Sequence, residues 1–428
     1  MKKIKQLMRN KFIKNVFILA SGTAGAQAII MLLSPIITRL YGPEAFGIMG
    51  AFNAMINMII PVAAMTYPIA IVLPKKNEEA KNIIKLSLLI STLLSILSLL
   101  VIVPFKDYLV SLFRLTEISP YIIFVPIVII FAGLMQIMEQ WLIRTKQFSI
   151  NARVTIFESL ITNLGKVGVG FFYPHAIVLI VFTAFSNGIK GLLMFFLNKN
   201  SIFITKHEKI QDVKNIKKLS KKFYDFPLYR APEQFLNAAS NGLPVLMLTA
   251  FFGPASAGFY SIGRTVLRLP TQLIGKSVGD VFYPRIAEAY NNKENIVNLI
   301  KRATLALAGV GIIPYGIIIL FGPQLFSLVF GNDWVIAGEY ARWLALWSFF
   351  GFINRPSVRS LAVLSAQKFH LLYTIGMLIT RIIVLITGYY IFSSDTIAVA
   401  LFGVSGAILN IGLIIFTLKI SKSRMNGQ

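Results

Sequence analysis

Asn15-Val-Phe-Ile-Leu-Ala-Ser-Gly-Thr-Ala-Gly-Ala-Gln-Ala-Ile-Ile-Met-Leu-Leu-Ser-Pro-Ile-Ile-Thr-Arg-Leu-Tyr-Gly-Pro-Glu-Ala-Phe-Gly47 is the stretch that decides the fold class. From Asn15 to Leu40 its one charged residue is Arg39. A bilayer core about 30 Å thick takes roughly 20 mostly apolar helical residues, so this segment is long enough to cross one. Gly42-Pro43 then punctuates the chain and a second apolar run begins. Pro fixes φ and Gly tolerates positive φ, so the pair makes a tight turn between two membrane helices.

The same pattern recurs along the chain. Apolar residues make up 56% and charged residues 14%, with mean hydropathy +0.71. Soluble domains sit near 45–50% apolar and 25% charged, so this chain is solvated by lipid. Twelve segments read as spans: 15–40, 46–73, 83–104, 120–141, 154–173, 175–197, 226–251, 255–284, 303–330, 339–364, 369–392 and 396–418. The expected class is an all-α polytopic membrane protein with two six-helix lobes around a central cavity. The basic stretch before Asn15 resembles a signal-peptide start, but the apolar run is too long and lacks a small-x-small cleavage site, so a retained first span is expected.

Charge gives the orientation. The tails and the loops near 74–85, 142–153, 198–225, 285–302 and 365–369 hold 29 of the 42 Lys and Arg. The opposite loops hold two, Lys106 and Arg114. This asymmetry predicts cytoplasmic termini, and it explains the net charge of +25 without nucleic acid. The polar stretch 198–225, rich in Lys, divides a lobe at 1–197 from one at 226–428. It reads as a linker, with a basic amphipathic helix against the anionic leaflet as the functional alternative.

An internal repeat supports two lobes. Gly42, Pro43 and Gly47 recur as Gly253, Pro254 and Gly258, both spelling G-P-x-x-x-G and lying 211 residues apart. Trp141–Phe148 is echoed by Ala362–Phe369 at corresponding span ends. The glycines and prolines of these turns are given a structural role. An even number of spans per repeat predicts an axis along the membrane normal.

The segment 15–47, with Leu325-Phe-Ser-Leu-Val-Phe-Gly-Asn-Asp-Trp334, resembles bacterial polysaccharide repeat-unit flippases of the multidrug/oligosaccharidyl-lipid/polysaccharide (MOP) transporter superfamily. The resemblance implies V-shaped six-helix bundles that open alternately to each side. It implies an undecaprenyl-pyrophosphate-linked oligosaccharide as cargo, of O-antigen, capsule or teichuronic type. A glycosyltransferase, a polymerase and a chain-length regulator are the partners it implies, besides membrane lipids.

Eleven basic residues remain inside the expected spans: Arg39, Lys166, Lys190, Arg230, Arg264, Arg268, Lys276, Arg342, Arg355, Arg359 and Arg381. Glu139, Glu158, Glu233 and Asp280 oppose them. A basic residue at a helix centre costs about 2.5–3.5 kcal/mol on insertion scales, so such charges line water, pair with acids or meet an anionic ligand. Lys166, Arg381 and the i,i+4 pair Arg264 and Arg268 are deepest and are the expected substrate cations. Arg binds phosphate oxygens through two parallel hydrogen bonds, which suits a pyrophosphate. Ion pairing or carbonyl capping is the structural alternative. Arg39, Lys190 and Arg355 are secondary candidates, and with Arg230, Arg342 and Arg359 they lie near span ends where side chains snorkel. Lys276 and Asp280 form an i,i+4 pair that either neutralises itself or leaves Asp280, with Glu139 or Glu158, to carry a coupled proton. Pro35, Pro61, Pro68, Pro126, Pro244, Pro270, Pro314 and Pro356 lie inside the spans as candidate hinges.

Alternatives stand beside the flippase reading. A lipid II flippase carries the same anchor but has fourteen spans, and a multidrug antiporter suits an acidic or aromatic cavity. A polysaccharide polymerase calls for a longer outer loop than Phe105–Ser119. The absence of cysteine excludes thiol chemistry, and His175, His207 and His370 have no ligand partner at helical spacing. With no nucleotide loop or nucleophile–base pattern, neither catalysis nor a cofactor is expected.

Overall fold

A computed structural model describes residues 11–113, 116–198, 211–272, 276–364 and 366–426. Among these residues the secondary structure is helical, without strand. Eight runs are long and apolar enough to cross a membrane: Phe17–Val62, Asn77–Tyr108, Thr116–Arg144, Ala176–Leu197, Phe226–Phe252, Ile296–Phe330, Gln367–Tyr390 and Asp395–Met425. The protein is therefore an all-α, multi-pass membrane protein. The chain divides into two compact units, residues 1–246 and 247–428.

In the first unit, helix α1 (Lys11–Ile59) carries the opening stretch and passes through the Gly42-Pro43 turn. Gly42 has φ 71° and ψ 173°, which splits α1 into two helical runs. Pro61 then ends it in a short 3₁₀ turn, Ile60–Val62, and a second, Tyr67–Val72, follows. The Ile60 carbonyl accepts from the Ala63 N–H (3.2 Å) and also from the Gln136 side chain, which ties this turn to the neighbouring helix. Helices α2 (Asn77–Phe113), α3 (Val125–Arg144), α4 (Phe148–Gly170) and α5 (Ala176–Leu197) complete the bundle. Small residues set the helix approach: a Cβ on Gly22 would lie 2.6 Å from Ala152 of α4.

The middle polar stretch contains helix α6 (Gln211–Lys222); residues 199–210 lie outside the described set. Leu219 is buried in a cluster with Ile83, Ile84, Trp141 and Leu142, and α6 docks on α2. Lys218, Lys221 and Lys222 stay exposed, and Lys222 meets Glu79 at 3.7 Å. Arg144, counted above as a loop cation, also ties the chain down: its guanidinium donates to the carbonyls of Ile71 (3.0 Å) and Pro74 (2.6 Å). A π-helical turn, Phe226–Arg230, leads into α7 (Ala231–Phe252).

The second unit holds α8 (Pro254–Pro270), α9 (Lys276–Asn291), α10 (Ile296–Phe330), α11 (Val335–Ile353), α12 (Arg355–Val363), α13 (Gln367–Tyr390) and α14 (Asp395–Asn426). Two expected spans are each divided. Segment 255–284 falls on α8 and α9, with α8 ending at Pro270. Segment 339–364 falls on α11 and α12, because Pro356 begins a new helix after Asn354. Proline lacks the N–H that would continue the ladder.

Gly253 (φ 89°, ψ 175°) repeats the backbone geometry of Gly42, with Pro254 opening α8 as Pro43 opens the second run of α1. Gly331 (φ 111°, ψ 166°) does the same before the one-turn helix Asn332–Trp334. This φ/ψ region is essentially restricted to glycine. Gly47 and Gly258, at the far ends of the two motifs, are buried. Backbones also meet closely where α10 and α11 cross, a Cβ on Gly338 lying 2.5 Å from the Gly322 carbonyl oxygen. Aromatic rings fill this unit, with Tyr260, Tyr315, Trp334, Tyr340, Phe352 and Phe402 fully buried.

Candidate functional site

Two arginines of one helix and a third from a sequence-distant helix form a cluster in the second unit. Helix α8 presents Tyr260, Arg264 and Arg268 at steps of four, on one face. The Arg264 Cζ stands 5.9 Å from the centre of the Tyr260 ring. Arg381 arrives from α13, its Cζ 5.1 Å from the Trp347 ring on α11 and 5.7 Å from the Phe402 ring on α14. Phe402 links the two groups, lying edge-on to both Trp347 (5.3 Å between centres) and Tyr260 (6.1 Å). Arg264 is close enough to act electrostatically on both Arg268 and Arg381.

Rings partly offset the cost of holding Arg264 and Arg381 away from water, since each cation above an aromatic face gains about 0.5–2 kcal/mol. They do nothing for the mutual repulsion. Among the described residues no carboxylate pairs with Arg268 or Arg381. Arg264 and Arg381 are half-buried and Arg268 is exposed, so the cluster retains access to a ligand. The arrangement is suited to a multivalent anion. Below it, the Tyr315 hydroxyl lies 3.1 Å from Thr271 Oγ1 and donates to the Leu267 carbonyl (3.3 Å), holding the end of α8.

Other candidates are placed differently. Lys166 lies on α4 of the first unit, on the helix face that carries Glu158 and Thr162, and interacts electrostatically with Glu158. Glu158 Oε1 also accepts from Ser186 Oγ (2.8 Å) and Thr162 Oγ1 (3.3 Å), while Tyr41 donates to the Lys166 carbonyl at 2.6 Å. Arg342 has a paired acid that the charge inventory omitted: Glu339 one turn away at 3.3 Å, with the Ile319 carbonyl 2.9 Å from Nε. Arg355 and Arg359 are neighbours at the start of α12, both exposed, and Arg355 faces Tyr315. Arg39 and Arg230 are exposed, whereas Lys190 and Glu139 are half-buried. The side chains of Lys276 and Asp280 lie outside the described residues.

The sequence singled out the three arginines but not the rings beside Arg264 and Arg381. Tyr260 was legible one helical turn before Arg264; Trp347 and Phe402 carry no local signal. Nor did it single out Asp395 at the start of α14, which accepts from Ser256 Oγ (2.6 Å), within the second G-P-x-x-x-G motif, and from the Thr396 N–H (2.6 Å). No group of His, Cys, Asp and Glu suited to a metal occurs among the described residues.

The sequence profile of the family described as polysaccharide biosynthesis protein matches residues 36–338. No curated protein matches the chain. Among solved structures, the chain is similar to an inward-facing multidrug resistance MATE family transporter of the MOP superfamily (TM-score 0.68, 14% identity, 96% of this chain and 98% of that one). It is similar also to the lipid II flippase MurJ in an inward closed conformation (TM-score 0.69, 17% identity, 94% and 87%). A third likeness is to a MOP superfamily transporter from Pyrococcus furiosus whose binding pocket has reversed polarity (TM-score 0.55, 15% identity, 96% and 94%). None of these three is a repeat-unit flippase. The chain belongs to the polysaccharide biosynthesis protein family, with the fold of the MOP transporter superfamily.

Proposed function

We propose that this chain moves an undecaprenyl-pyrophosphate-linked polysaccharide repeat unit across the bacterial cytoplasmic membrane by alternating access. The proposed topology has twelve spans in two six-span lobes joined by the basic linker 198–225, with both termini cytoplasmic. One observation carries the reading: Arg264 and Arg381 stand against aromatic rings with Arg268 one helical turn from Arg264, a setting that favours a pyrophosphate and opposes a cationic drug. The family description adds support for polysaccharide work. The reversed pocket polarity of the Pyrococcus transporter supports the idea that this fold changes cargo by changing charge.

A second reading, lipid II flipping, has the same anchor chemistry and is favoured by the likeness to MurJ. The multidrug likenesses favour an antiporter on fold alone, against the charge of the cluster. Polymerase and chain-length regulator remain the proposed partners.

Deleting the gene and measuring surface polymer together with undecaprenyl-pyrophosphate intermediates separates these readings. Complete repeat units held on the cytoplasmic face, with lipid II transport intact, are expected. Complementation with Arg264→Ala, Arg268→Ala or Arg381→Ala should fail at normal protein levels. Accumulated lipid II would establish the second reading, and unchanged polymer with altered drug resistance would establish the third. For coupling, Glu158, Glu139 and Asp280 are the proposed carboxylates; unchanged pH-dependent transport after neutral substitution of all three would remove them.

A further inference from the structure

The first unit holds an apolar groove of about 620 Å³, apart from the arginine cluster of the second unit. Ile59 and Met65 line it from the end of α1 and the turn beyond, Leu97 and Val101 from α2, Ile129 from α3 and Phe235 from α7. Ser98 is the one polar side chain in the wall among the described residues, and it donates to the Ser95 carbonyl at 2.7 Å. The wall is built rather than accidental. Pro61 stops α1, and Met65 (φ 47°) and Thr66 (φ 57°) take the left-handed backbone that side chains disfavour. Thr66 Oγ1 holds this turn to the Phe226 carbonyl (2.9 Å), where the π-helical turn Phe226–Arg230 begins. Such turns are rare and concentrate at functional sites.

Water does not suit the space, since a buried water needs two to four polar partners. Leu97, Val101 and Phe235 are exposed in its wall, so the groove opens outward. Leu97 and Val101 lie within the membrane run Asn77–Tyr108, so hydrocarbon is the filler at hand. The volume equals about twenty water-sized groups at roughly 30 Å³ each, enough for a few isoprene units. Between the lining residues Pro227 and Ala231 stand exposed Tyr229 and Arg230, an aromatic and a cation complementary to a phosphate at the membrane surface.

We propose that this groove holds part of the polyprenyl chain of the lipid-linked substrate; the inference rests on the flippase reading and adds a site for the tail. The test uses the full chain in nanodiscs of phosphatidylethanolamine and phosphatidylglycerol. The probe is undecaprenyl diphosphate with a diazirine in its chain, and adducts are mapped by peptide mass spectrometry. Adducts in 94–102 and 231–235 are expected, lowered about tenfold by excess undecaprenyl phosphate and not by added phosphatidylglycerol. Leu97→Trp and, as a milder filler, Ser98→Leu should lower labelling while inorganic pyrophosphate still binds as in the wild type. Adducts elsewhere with pyrophosphate binding retained would overturn the groove assignment and leave the flippase reading standing. Equal competition by phosphatidylglycerol would do the same, marking the groove as a site for bulk lipid. Absence of both saturable labelling and pyrophosphate binding would overturn the flippase reading, and this inference with it.

Discussion

Replacing Arg381 with Leu should stabilise the second unit and weaken anion binding at once. The substitution removes a charge held at depth, worth about 2.5–3.5 kcal/mol on insertion scales. It also relieves the repulsion from Arg264. Against this it loses contacts with the Trp347 and Phe402 rings, at 5.1 and 5.7 Å, worth about 0.5–1 kcal/mol each. The net expectation is a gain of about 1–2 kcal/mol in stability. Binding moves the other way. Loss of a charge-assisted hydrogen bond of about 1.5–3 kcal/mol weakens pyrophosphate binding roughly 10- to 150-fold. The chain has no cysteine, so a thiol-reactive dye reports nothing; intrinsic fluorescence does, and Trp347 lies directly against the mutated residue. Thermal melts followed by tryptophan emission, paired with calorimetric titration of pyrophosphate, measure both effects. A loss of stability above about 1 kcal/mol with unchanged pyrophosphate affinity would show that Arg381 holds structure, and the cluster would lose its assignment as an anion site.

Gly42→Ala and Gly253→Ala should each cost about 1–3 kcal/mol from backbone strain alone, because nothing lies within 4 Å of either added Cβ; melts near wild type would refute this. Gly338→Ala should destabilise by about 1–3 kcal/mol for the opposite reason, collision with the Gly322 carbonyl at 2.5 Å, and Gly322→Ala should do the same in the same melt. Asp395→Asn should lower stability by about 1 kcal/mol through the weakened Ser256 and Thr396 bonds, and a double-mutant cycle with Ser256→Ala should show coupling. Outside the membrane runs, hydrogen bonding from Arg285 holds the Glu294 carboxyl below its ordinary value. A depressed carboxylate stabilises the fold above its unfolded value, and that contribution disappears as pH falls through the lowered one, so Glu294→Gln should flatten the acid limb of a stability–pH profile.

How much was legible in the sequence depends on the range of the interaction. Apolar length is a local property, and with Gly-Pro punctuation it was enough to establish a multi-pass helical protein. The positive-φ turns at Gly42 and Gly253 are local too, since φ is set within the residue itself. Arg264 and Arg268 could be paired on one face because helical periodicity alone puts them there. Their meeting with Arg381 is different: it requires α8, α11, α13 and α14 to pack around Phe402, and no spacing in the chain encodes that.

Helix breaks were half legible. Every proline was visible, yet Pro314 continues its helix whereas Pro61 and Pro356 lie where one helix stops and another begins, because neighbouring carbonyl acceptors and packed side chains decide whether a freed backbone group is satisfied. The tail groove left no trace in the sequence, since its walls are ordinary apolar residues at ordinary helical spacing. It exists only because α1 stops at Pro61 and the chain then takes left-handed backbone at Met65 and Thr66. Sequence by itself determined the solvent of this protein and the sign of its buried charge. Tertiary packing decided which charges meet and where space is left, because both depend on contacts between residues far apart in the chain.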